Sequence, residues 1–237
     1  MKGTPLVLLH GYPFDHTMWE KVVAKFEPDR RFLTPDLRGF GVEIGPAEPS
    51  LELMAEDVAQ QLSGEAVVAG FSMGGYVALA LAEKHPELIA SLALINSQAA
   101  ADTDEVRQGR RMMIEKVRKE GTRAATDAAI PKLFAYPREE LTLYALKGAE
   151  RADVAGITWA LEAMARRSDR TPVLQRLGKP ILIVHSTEDK FIPVTRAQDL
   201  AASVKAKYVE IEGAGHCTPL EAPDKVAAAI KDFVDGR

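Results

Sequence analysis

Apolar and polar positions along this 237-residue chain follow two rhythms that alternate. Short apolar-rich runs at residues 5–9, 65–71, 89–95, 180–185 and 207–211 predict strands, and the unbroken run at 5–9 reads as one covered on both faces, as in a parallel sheet. A weaker run at 31–35 predicts a short second strand. After the first run, Met18, Trp19, Val22, Val23 and Phe26 recur at helical spacing, so a helix is expected there. Further helices are predicted over 51–62, with Ser50 as N-cap, and over 76–84, stopped by His85-Pro86. Another spans 194–203, and the last starts near Pro219 with Val226, Ile230 and Phe233 on one face. Strands alternating with helices imply a parallel sheet with right-handed crossovers.

Residues 97–179 break that rhythm. They hold several helical segments rich in Ala, Arg, Glu and Met, and no convincing strand. This stretch reads as a helical cap inserted between two strands, over the carboxyl ends where ligands bind in such sheets. The core then consists of residues 1–96 and 180–237.

Composition narrows the function. The chain is 46% hydrophobic with a formal net charge of −4, the balance of an ordinary soluble globule built on one large α/β domain. A mildly acidic chain argues against nucleic acid or an anionic membrane as partner. The run at 5–9 is too short for a signal peptide or a membrane span. The single cysteine, Cys217, excludes an intramolecular disulfide and fits a cytoplasmic location. No spacing among the histidines and acids suggests a metal site, so neither metal nor cofactor is expected.

The candidate chemistry lies at predicted strand ends. Gly70-Phe71-Ser72-Met73-Gly74-Gly75 follows an apolar run and opens a helix, the signature of a nucleophile elbow. A nucleophilic serine needs a base, an acid to orient that base, and donors for an oxyanion. His216, in Gly213-Ala214-Gly215-His216, follows the last strand. Asp189 follows the strand before it, with Glu188 beside it as a rival acid. His10-Gly11-Tyr12 follows the first strand, where the backbone N–H of Tyr12 could join that of Met73 as an oxyanion hole; Pro13 has no N–H to offer.

Together these motifs resemble the α/β-hydrolase superfamily. Within it the chain is similar to the small cofactor-free carboxylesterases, aryl-esterases and enol-lactonases. His10-Gly11-Tyr12-Pro13-Phe14-Asp15, with Met18-Trp19, looks like the oxyanion-loop segment of the esterase and perhydrolase branch. Asp36-Leu37-Arg38-Gly39-Phe40-Gly41 resembles a loop common across the superfamily, and Arg167-Ser168-Asp169 one found in lactonase-like members. The similarity covers residues 1–96 and 180–237 and is weak in the cap. It implies that Asp189, placed in a Glu-Asp-x-x-x-Pro motif ending at Pro193, is the orienting acid. Two departures stand out. Members usually carry two more strands before the one ending in His-Gly, so a shortened, all-parallel six-stranded sheet is expected, with the 31–35 strand at an edge. Val42-Glu43 stands where relatives place a serine soon after the Gly41 position.

The expected activity is a serine hydrolase that cleaves a small-molecule carboxylic ester or lactone through an acyl-enzyme, with Ser72, His216 and Asp189 as triad. The same residues would equally serve an acyltransferase, a perhydrolase or a carbon–carbon bond hydrolase. A non-catalytic ligand-binding member is the remaining alternative. Among the other residues, His10 is expected to hold the oxyanion loop by a hydrogen bond, and His16, His85 and His185 to lie at the surface or in loops. Asp36 and Arg38 should pair with each other, and Cys217 should be a small buried filler. The arginines 107, 110, 111, 118 and 123 read as a solvated helix face, one of them a candidate grip for a substrate carboxylate. Met112, Met113, Phe134, Trp159 and Met164 are candidates to line an acyl or aryl pocket. The edge strand gives a motive for homodimer pairing.

Overall fold

All six apolar-rich runs form strands of one sheet in the computed structural model, which describes residues 3–42, 44–45 and 47–236. The strands are β1 (Leu6–Leu9), β2 (Phe32–Leu33), β3 (Ala66–Phe71), β4 (Ile89–Ile95), β5 (Ile181–Ser186) and β6 (Lys207–Ile211). Their order is β2-β1-β3-β4-β5-β6, and every neighbouring pair is parallel. The edge strand β2 is only two residues long, which leaves little ladder exposed.

Period-two alternation sends successive side chains to opposite faces. Val7, Leu9, Val68, Leu92 and Leu94 meet α2 (Leu51–Ala59), α3 (Met73–Lys84) and α9 (Val194–Val204) on one side. Leu6, Leu8, Val67, Ala69 and Val184 meet α1 (Glu20–Val23) and α11 (Pro223–Asp235) on the other. Both faces are covered, so the strands that form the centre of the sheet are predominantly apolar, with Ser91 in β4 a buried exception. Ser50 caps α2 as expected, accepting from the N–H groups of Glu52 and Leu53.

Between β4 and β5 run α4 (Asp104–Glu120), α5 (Arg123–Leu133), α6 (Glu139–Arg151), α7 (Val154–Ala165) and α8 (Thr171–Arg176). These helices rest on the loops that leave the carboxyl ends of β1 and β2. The Tyr144 and Thr17 hydroxyls are 2.7 Å apart, Arg151 pairs with Asp15 at 2.5 Å, and the Trp159 ring N–H donates to the Ala47 carbonyl at 3.1 Å. Gly156 touches Gly39 backbone to backbone, so closely that a Cβ on Gly156 would overlap the Gly39 carbonyl.

Several local expectations are corrected. The segment after β1 is a 3-10 turn, His16–Trp19, followed by the short α1, and not one helix. The last helix is interrupted: α10 (Thr218–Glu221) ends at Ala222 and Pro223 starts α11. Arg38 pairs with Asp57 at 2.6 Å rather than with Asp36, which accepts from the His16 backbone and ring at 2.8 Å. His185 is fully buried, because it sits on a strand covered on both faces. Met112 is 67% exposed and lines no interior pocket, and Arg110 reaches inward to the buried Asp102 at 2.7 Å. Glu43, half of the second sequence departure, lies outside the described residues.

The Gly39–Gly156 approach makes a direct test of how the inserted helices seat. Gly156→Ala forces two backbones apart and should destabilise the fold by about 2 kcal/mol, read by chemical denaturation. An unchanged unfolding free energy would show that the contact is slack.

Candidate active site

The strand order reverses at β1, so the chain leaves β1 and β3 in opposite directions around the sheet and opens a crevice at their carboxyl ends. Ser72 sits there, between β3 and α3, with φ 49° and ψ −113°. A left-handed φ is costly for a residue with a Cβ and persists only where packing imposes it. Here the packing is plain. A Cβ on Gly70 would overlap the Gly74 carbonyl, one on Gly74 would overlap the Leu9 carbonyl, and one on Gly75 would overlap the Ser97 side chain. The helix is pressed against β1 and β3, and the chain turns sharply at Ser72 to enter it.

The structure brings Ser72, His216 and Asp189 together. Ser72 Oγ lies 2.9 Å from His216 Nε2, and His216 Nδ1 lies 2.8 Å from Asp189 Oδ2. Asp189 is acceptor-only when ionised, so Nδ1 carries the proton and Nε2 is left to accept from the Ser72 hydroxyl. Burial alone would push the Asp189 carboxyl up. Electrostatic attraction to His216 and hydrogen bonds from His216, Asn96 and the Ile192 N–H more than offset it and hold the group at about 2. His216 packs between Phe71 and Phe191, at ring separations of 5.1 and 4.9 Å. Glu188 is exposed and takes no part; its N–H donates to the Ala214 carbonyl.

Sequence reasoning missed the residues that hold Asp189. Asn96, at φ 42°, donates from Nδ2 to Asp189 at 2.9 Å and to Ser186 Oγ at 2.7 Å, and accepts from the Thr218 hydroxyl at 2.7 Å. The N–H groups of Phe191 and Ile192 close on the other carboxylate oxygen at 2.8 and 3.0 Å. Ser97 Oγ donates to the Ser72 carbonyl at 2.8 Å. The available signal was position: Asn96-Ser97 follows directly on a strand's carboxyl end, where sites of such sheets collect.

On the other side of the crevice, Gly11–Phe14 is a turn closed by the Phe14 N–H on the Gly11 carbonyl at 2.8 Å, with a cis Tyr12–Pro13 peptide. Among the described residues the backbone N–H groups of Tyr12 and Met73 have no partner. Met73 is the first residue of α3, where an unpaired N–H and the positive helix end favour negative charge. His10 is fully buried and holds this turn: Nε2 accepts from the Leu37 N–H at 2.9 Å and Nδ1 donates to the Gly11 carbonyl at 3.2 Å. Burial lowers its pKa to about 4, so the ring is neutral. Cys217 is also fully buried, and burial pushes its thiol well above the usual range, which keeps it out of thiolate chemistry.

Among the described residues no group of histidines, cysteines and acids converges as a metal site, and no helix is long and apolar enough to cross a membrane. A groove of about 520 Å³ between α4 and α7 is lined by Arg111, Arg118, Trp159 and Arg166, and none of its lining residues belongs to the Ser72 crevice. Of the remaining pocket candidates, Phe134 lies beside the His216 loop, with its backbone against Gly215, while Trp159 and Met164 are buried in the core on the α3 face. Arg167 is buried over the Tyr76 ring and pairs with Asp102 at 2.5 Å.

Residues 6–229 match the alpha/beta hydrolase family. The chain belongs to that family. It is 29% identical over 259 residues, covering 100% of both sequences, to a pimeloyl-(acyl-carrier protein) methyl ester esterase of Aromatoleum aromaticum. A thermophilic esterase from Thermogutta terrifontis, solved with malate bound, is 33% identical with a TM-score of 0.92 over 99% of this chain and 90% of its own. The enol-lactonase of Burkholderia xenovorans is 28% identical with a TM-score of 0.88, over 98% and 91%. The fold is the α/β-hydrolase fold, with the six parallel strands expected from sequence.

The buried His10 predicts a pH dependence of stability. Its pKa is about 4 folded and 6.5 in the unfolded chain, so between those values the unfolded state binds more protons and acid favours it. Stability should therefore fall as pH drops from 6.5 to 4, by up to about 3 kcal/mol from this group. His10→Gln, which keeps an acceptor for Leu37, should flatten that slope in denaturation measured at pH 7 and 4.5. An equally steep slope in the variant would place the effect elsewhere.

Proposed function

We propose that this alpha/beta hydrolase is a serine hydrolase acting on small carboxylic esters or lactones through an acyl-enzyme. The observation that carries the reading is the unbroken line of hydrogen bonds from Ser72 through His216 to a buried, ionised Asp189. A serine forced to a left-handed φ at a helix start, with unpaired N–H groups on both sides, fits the same chemistry.

In this reading His216 Nε2 takes the Ser72 proton as Oγ attacks the carbonyl carbon. The charge that develops on the carbonyl oxygen is met by the N–H groups of Tyr12 and Met73, and losing one such donor costs roughly 10²–10³ in rate. Collapse of the tetrahedral adduct expels the alkoxide, which takes the proton from His216. Water then attacks the acyl-enzyme with His216 as base, releasing the acid and restoring Ser72. Asp189 holds the imidazole tautomer and stabilises the imidazolium without itself taking the proton. The helices α4–α8 serve as a cap over the crevice, and their packing would set acyl length and alcohol size. The esterase and enol-lactonase relatives support an ester or lactone as substrate. No metal or cofactor enters these steps, and the protein would work in the cytoplasm.

Ser72→Ala should lower kcat on p-nitrophenyl acetate or a simple lactone by about 10⁶-fold while leaving the thermal midpoint unchanged. Turnover that persists in the folded variant would exclude Ser72 as the nucleophile.

A further inference from the structure

We infer that Glu221 is a positioning residue for His216, fastening the imidazole loop to the turn between α5 and α6. The inference rests on the triad reading above and extends it to a residue outside the triad.

Glu221 closes the short α10 and turns its carboxylate back toward the site. One oxygen accepts the Gly215 N–H at 2.9 Å and the other accepts the Ala135 N–H at 2.9 Å. Gly215 precedes His216, and Ala135 lies two residues past α5. On the far side of His216, the Cys217 N–H donates to the Leu133 carbonyl at 2.9 Å. Both chain neighbours of the base are thus tied to residues 133–135, one through the Glu221 side chain and one directly. The fit is also steric. A Cβ on Gly215 would overlap the Ala135 nitrogen and the Phe134 carbonyl carbon, so the two backbones touch where Gly215 stands.

The same turn reaches the acid loop. Lys190, next to Asp189, places Nζ 3.3 to 3.4 Å from the carbonyls of Pro131, Phe134 and Ala135 at the end of α5, where a cation suits the helix dipole. Two loops that the sheet delivers from different strands are therefore fixed against one turn of the inserted helices. A carboxylate suits the joint because its two oxygens can each accept an N–H. Glutamine offers one oxygen and an amide that would face the second N–H donor to donor, and alanine offers nothing.

The test compares wild type, Glu221→Gln and Glu221→Ala by thermal unfolding, by kcat and KM on p-nitrophenyl acetate, and by the far-downfield proton NMR line of His216 Nδ1–H. Losing one bond should lower kcat about tenfold in the Gln variant. Freeing the loop should lower it about 10²-fold in the Ala variant, the scale of a 1 Å misplacement. KM should stay within about twofold, as expected when ground-state binding is untouched. The downfield line should broaden or shift in step with kcat. A folded Ala variant with wild-type kcat would overturn the role, as would an unmoved line beside a reduced kcat. If the Ala variant does not fold, the Gln variant decides by the same readings. A wild-type protein that neither hydrolyses the ester nor reacts with an aryl phosphonate would instead remove the triad reading, and this inference with it. An active wild type with unaffected variants would remove only the role of Glu221.

Discussion

The turn from β3 into α3 has no room for side chains, and the rest of the site is arranged around that fact. Gly74 lies against the end of β1, Gly70 against Gly74, and Gly75 against Ser97. These contacts draw the helix down onto the sheet and force Ser72 to φ 49°. The same contacts bring the ends of β1 and β3 side by side, so the turn at Tyr12 and the first N–H of α3 flank one crevice. A substituent at any of the three glycines would lift the helix and separate these groups together.

A second constraint is electrostatic. The Asp189 side chain is held in a buried position against His216 and is nonetheless ionised. Alone, burial would favour its neutral form. The surrounding donors reverse that preference: Asn96 on one oxygen, the Phe191 and Ile192 N–H groups on the other, and His216 itself. Asn96 is in turn held by Thr218, and Ser186 links it to the Gly215 carbonyl. The Asp189 and His216 loops are therefore joined by a continuous polar network behind the imidazole.

What was legible in the sequence follows from how local each feature is. Strand positions could be read because the central strands are covered on both faces and carry largely apolar runs, as in residues 66–71 and 89–95. Ser72, Asp189 and His216 each follow a predicted strand in a local motif, so their separate positions were readable. Features set by distant packing were not. The partner of Arg38 is Asp57, chosen by how α2 docks, and neither residue's neighbours reveal it. His185 was expected at the surface or in a loop because histidine is polar, although it falls within the predicted strand; it is buried with its Nε2 on the Ile192 carbonyl. Asn96 was marked only by its place at a strand end, since its partners Ser186, Asp189 and Thr218 lie about a hundred residues on, and the Glu221 bond to the Ala135 N–H likewise spans distant chain. Arg110 sits in a run of charges that reads as a wet face, but Asp102, folded underneath, draws it inward.

The most direct measurement is covalent: incubation with an aryl phosphonate, followed by peptide mass analysis of the modified site. A serine activated by His216 should be phosphonylated stoichiometrically, with the added mass on the peptide containing Ser72 and nowhere else. No adduct, or an adduct on another residue such as Ser97, would contradict a nucleophilic Ser72.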